Sequence, residues 1–175
     1  MLCTVFVNST IFGATLPVLP EFQVYHTVGS RGSTYTTGAI GASLHLFDDP
    51  VGTGRYLHVL ALSIPEKTIA WKNKVGSMYL SEKAFGFEIG VHDQWQTPEG
   101  KGATLSLRKI QFPKIHEGDN EPKEATSDIL HMGWNWITGK PIITVWLLGL
   151  DIANLDLPYD RKLEIQIAMG LRTKF

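Results

Sequence analysis

Cysteine is nearly absent from the chain. Cys3 is the only one in 175 residues, so no internal disulfide forms and no Cys-rich zinc pattern is spelled. That points to a reducing compartment. Charge of one sign is also missing: 16 basic residues face 17 acidic ones. A balance near zero lacks the clustered positive charge that non-specific nucleic-acid binding needs, and no sequence-specific nucleic-acid recognition is expected. No apolar run reaches the ~18 residues of a membrane-spanning helix. The apolar start, MLCTVFVNSTIFGATLP, lacks a basic leader and is broken by Asn8, Ser9 and Thr10, which argues against a signal peptide. These absences predict a soluble protein, cytoplasmic or virion-associated, with no transmembrane segment.

Motifs of chemistry are scarce too. There is no Gly-x-Ser-x-Gly elbow and no HExxH pair. GSRGST, from Gly29, lacks the GK[ST] ending of a phosphate loop. His26, His45 and His58 lie in strand-like stretches, where a core or edge histidine is commoner than a metal ligand. No cofactor or metal is expected. Glu88 and His92 fall on one strand face, and a carboxylate beside an imidazole can orient a general base. They define a hydrolase-like alternative, but no nucleophile stands opposite, and the expectation is a protein without enzymatic activity.

What the sequence has is alternation. KLEIQIAMGLRTKF places Leu163, Ile165, Ile167, Met169, Leu171 and Phe175 on one face and polar or small residues on the other. FGFEIGVH sets Phe85, Phe87, Ile89 and Val91 against Gly86, Glu88, Gly90 and His92, and the apolar set is taken as the inward one. EFQVYHTV and GASLHLF alternate likewise. ATLSLRKIQF slips between Leu107 and Ile110, which predicts a β-bulge. YLHVLALSI and IITVWLLGLDI are apolar on both faces, as central strands are. Gly170 is the expected bend in the long last strand. The fold class is therefore mainly β: a single-domain antiparallel β-sandwich or barrel of about eight to ten strands over 1–175. One or two short helices are added, in PEKTIAWKNK and from Ser81. Loops are expected at 29–41, at 47–55 and in the charged excursion 113–128.

Trp134 and Trp136, two apart, share a strand face in a hairpin spanning 131–152, and burial is the expected fate of both. Exposed, they suit a carbohydrate- or small-ligand-binding module, with Trp95 as a further candidate. Lys67, Lys72 and Lys74 around Trp71 suit an anionic membrane surface or a nucleoprotein as a helper contact. With many strands, low charge and long uncharged loops, the leading expectation is a structural subunit that self-associates, of virion matrix, coat or tail-tube type. Its partner is copies of itself, through Arg31, Tyr35, Leu171 and Phe175.

Overall fold

The computed structural model describes residues 7–11, 14–48, 53–66, 69–72, 77–95, 101–117, 121–138, 143–157 and 160–174. They form eleven strands: β1 Val7–Ile11, β2 Ala14–Gly29, β3 Thr34–Asp48, β4 Thr53–Ile64, β5 Ile69–Lys72, β6 Ser77–Leu80, β7 Ala84–Trp95, β8 Lys101–Glu117, β9 Lys123–Thr138, β10 Ile143–Leu157 and β11 Asp160–Lys174. All pairings are antiparallel. The ring β2-β11-β10-β9-β8-β7-β4-β3 closes on itself through the β2–β3 and β7–β8 pairings. An antiparallel β-barrel results, in agreement with the expected class. Closure leaves these eight strands without a free edge.

No helix occurs among the described residues. PEKTIAWKNK, one expected helix, supplies β5, whose Ile69 pairs with Thr34 of β3. Beyond the end of β4, the β5–β6 hairpin fills the gap between β3 and β8. The residues at Ser81 form a bend rather than a helix. Two expected loops are mostly strand. The 29–41 segment is a tight turn at 29–33, with Gly32 at φ 85°, followed by β3. The 113–128 excursion is taken up by β8 to Glu117 and β9 from Lys123. The 131–152 hairpin is as expected, with Thr138 paired to Thr144. β11 runs through Gly170 without a register break. A Cβ at Gly170 would meet Val24 backbone and the Tyr25 side chain, so close approach of β2 explains this glycine better than a bend.

The alternating faces are those the sequence assigns, but at β2, β7 and β11 the apolar one points outward. Phe22, Val24, Phe85, Phe87, Ile89, Val91, Leu163, Ile165, Ile167, Met169 and Leu171 are all exposed large hydrophobics. Glu21, Gln23, Glu88, His92, Glu164, Gln166 and Arg172 are buried in the interior. Nearer the β5–β6 end the arrangement reverses. Leu60, Leu62, Ile64, Leu80, Ile110, Phe112, Ile115 and Leu155 pack there as an apolar core. Lys109, Gln111, Lys114, Lys123 and Glu124 lie on the outside of the same segments.

This reversal accounts for two features of the sequence. Pairing of β8 is continuous from Leu107 to Ile110 on both sides, so no bulge sits there. The apolar residues change from outward Leu107 to inward Ile110 because the surroundings change along the barrel. The register irregularity in β8 falls later, between Phe112 and Ile115. β4 is apolar on both faces for the same reason: Val59 faces out and Leu60 joins the inner core.

Candidate functional site

Two surfaces need an account, the polar interior and the apolar outer band. The interior centres on Arg108 of β8. Its Nε donates to Glu88 Oε2 at 2.7 Å and its Nη1 to Asp151 Oδ2 at 2.8 Å. The guanidinium also lies 4.3 Å from the centre of the Tyr25 ring, a cation–π contact from the opposite wall. Glu88 Oε1 accepts from Ser106 Oγ at 2.7 Å and faces His58 Nε2 at 3.0 Å. Asp151 Oδ1 faces His131 Nδ1. The His131 ring fits because Gly149 and Gly133 flank it; a Cβ at either would collide with the imidazole.

Donor arithmetic fixes the histidine tautomers. Glu88 takes hydrogen bonds from Arg108 and Ser106 as a carboxylate, so His58 Nε2 must carry the proton toward it. His58 Nδ1 lies 3.0 Å from His92 Nδ1. In neutral His58 that nitrogen is an acceptor, and His92 Nδ1–H is then the donor. Tyr56 stacks on the far side of His92, with ring centres 5.1 Å apart and planes 6° from parallel. One connected network thus joins β4, β7, β8, β9 and β10 across the lumen.

Two smaller clusters add to the polar lining. Arg172 Nε lies 2.9 Å from Glu21 Oε1, an ion pair without hydrogen-bond alignment. Glu21 also accepts from Gln23 and Ser43. Glu164 closes the 29–33 turn: it accepts from Arg31 N at 2.7 Å, Ser33 Oγ at 2.6 Å and Gln166 Nε2 at 2.9 Å. Tyr35 OH donates to Gln166 Oε1 at 2.8 Å.

The outer band shows best on paired strands. Outward on β8 stand Lys101, Ala103, Leu105, Leu107 and Lys109; opposite them on β9 stand Trp136, Trp134, Met132, Leu130 and Asp128. Charge bounds the apolar rows on the Lys109 side, and Lys101 with Trp136 bounds them on the other. Arg55 and Asp93, paired at 2.7 Å, lie at that second boundary. Trp134 is 55% exposed and Trp136 40%, so the expected burial of this pair is corrected: both rings stand on the outside.

The remaining sequence candidates distribute as follows. Glu88 and His92 are brought together through His58, and both are buried. Tyr35 is inside the barrel, whereas Leu171 is on its outer face and Arg31 on the turn. Trp71 and Lys72 fall in β5; Lys67, Lys74 and Phe175 lie outside the described residues. No group of three or more potential metal-ligating side chains occurs among the described residues. Sequence reasoning missed Arg108 and Asp151. For Asp151 the available signal was a lone charge between Leu150 and Ile152, in GLDIA; Arg108, next to Lys109 in SLRKI, carried no such mark.

No family model and no curated protein matches the chain. Among solved structures it is similar to the crystal structure of Neisserial surface protein A (NspA), at 14% identity and a TM-score of 0.47, covering 90% of this chain and 96% of that one. The expectation of a soluble virion subunit, cytoplasmic or virion-associated, is corrected by the outward-facing hydrophobics of the barrel. The physical reason lies in the side chains: the alternation taken to wrap an apolar core wraps charge, and the apolar residues face outward around the ring. No helix among the described residues is long and apolar enough to cross a membrane.

Proposed function

We propose that the chain is an outer-membrane-type β-barrel that spans a lipid bilayer with the strands of its closed ring. The observation that carries this is the outward apolar band on β7, β8, β9, β10 and β11, extended on β2 by Phe22, Val24 and Val28 either side of exposed His26, around an ionic interior. In hydrocarbon every backbone polar group needs an internal partner, which a closed barrel supplies and an open sheet does not. The band's height also fits. From Leu163 to Leu171 is about 26 Å along the strand, or about 20 Å at a tilt near 40°, close to the ~25 Å band of such barrels. Trp134 and Trp136 take the place of interfacial aromatics beside Lys101. Their neighbours Ala103, Leu148 and Met132 offer none of the convergent polar groups a sugar site requires.

On this reading the barrel is an anchor rather than a pore or an enzyme. The core around Leu60, Ile110 and Phe112 fills the lumen toward the β5–β6 end and builds a rigid cap with a charged exterior. The ionic network gives the lumen wall a partnered lining without presenting a reactive group to solvent.

The test is reconstitution into vesicles of lipids brominated along their acyl chains. Tryptophan emission is expected to be quenched, and Trp134→Phe with Trp136→Phe to reduce the quenched fraction. Emission indifferent to bromine depth would defeat the membrane assignment. In planar bilayers the same protein is expected to produce no stepwise ion current; steady open-channel currents would contradict the filled lumen.

A further inference from the structure

The outer wall carries a groove of about 460 Å³, within the roughly 300–1,000 Å³ typical of small-ligand sites. Its floor is a registered row across four strands, Ile89, Leu107, Leu130 and Ile152, with Phe87 beside it. One row further on stand Lys109 and Asp128, directly paired across β8 and β9, with Nζ 3.3 Å from Oδ1 and both side chains about half exposed. The groove therefore straddles the line where the outer surface changes from apolar to charged.

We infer that this groove binds one bilayer phospholipid whose headgroup carries both a phosphate and a primary amine. The inference rests on the bilayer-spanning reading above, which places Lys109 and Asp128 at headgroup depth. An acyl chain occupies the row from Ile89 to Ile152. The Lys109 ammonium donates to the phosphate, and the headgroup ammonium donates to the Asp128 carboxylate. Charge complementarity selects the occupant. The rim presents one cation and one anion, which a zwitterionic head matches; a purely anionic head would set its phosphate against Asp128. The existing Lys109–Asp128 contact is an exposed ion pair of the kind that contributes little, so a headgroup can insert between its partners.

Native mass spectrometry of the protein released from nanodiscs tests this, using equal amounts of phosphatidylethanolamine and phosphatidylglycerol. Retained phosphatidylethanolamine is expected to exceed phosphatidylglycerol by roughly two- to fivefold, the range one exposed ion pair supplies. Asp128→Ala is expected to abolish the preference, Lys109→Ala to lower retention of both lipids, and Leu107→Trp to displace the bound lipid by filling the groove. Equal retention of the two lipids, or an unchanged preference in Asp128→Ala, overturns the site while leaving the barrel in the membrane. A chain that never enters the nanodisc removes the membrane assignment itself, and the site with it.

Discussion

Arg108→Leu is expected to destabilise the barrel by about 3–5 kcal/mol, the cost of leaving buried charge without its partner. The substitution removes one cation from between Glu88 and Asp151 and leaves two carboxylates facing each other in the lumen. His58 and His131 remain as donors, but each already serves its own carboxylate oxygen and cannot replace the guanidinium. Equilibrium unfolding from lipid vesicles in urea measures the effect. Combining Arg108→Leu with Glu88→Gln and Asp151→Asn is expected to recover much of the loss, because no buried charge then lacks a partner. A single mutant within about 0.5 kcal/mol of the parent, the range of ordinary surface changes, would mean that the network does not support the fold.

Which residues share a face on β11, β7 and β2 was legible from the two-residue period alone. β11 and β7 carry unbroken alternation, β2 carries it with His26 in the apolar set, and the 131–152 hairpin followed from the polar break after Trp136 and Ile137. What alternation cannot supply is which face meets water, because turning a barrel inside out preserves the period. The polar faces held the missing signal. FGFEIGVH sets Gly86, Glu88, Gly90 and His92 together, and glycines alternating with charges suit a narrow lumen where side chains on neighbouring strands compete for space. At Gly90 a Cβ would collide with Ser106 of β8, and at Gly149 with the His131 ring. The expected loops failed for a related reason. Beyond the apolar band the outward face of a strand is polar and the inward one carries single apolar residues, so PKIHE at the end of β8 has loop composition although Ile115 packs in the core. The ionic site was legible only in part. Glu88 and His92 were singled out as neighbours on one strand, whereas Arg108 and Asp151 reach them from β8 and β10 only once the ring has closed.

The sign of one substitution separates an inside-out barrel from the soluble protein first expected. Ile167 lies midway along the outer apolar face of β11, 52% exposed, and its registered neighbours are Leu150 and Val28. On a soluble surface an exposed isoleucine replaced by arginine changes stability by less than about 0.5 kcal/mol, and solubility improves. In a bilayer the same change places a guanidinium near the midplane, at a cost of about 2–4 kcal/mol. Ile167→Arg is therefore expected to lower the folding free energy in vesicles by that amount. Leu171→Arg, toward the Trp136 end of the band, is expected to cost about 1 kcal/mol or less, because its head reaches the interface. A depth profile of this shape has no soluble counterpart, since water presents the same environment to both positions. Equal and negligible effects at Ile167 and Leu171 would leave the outer band unexplained by lipid. A penalty that peaks at Ile167 and fades toward both ends of β11 would set the midplane of the bilayer on this strand.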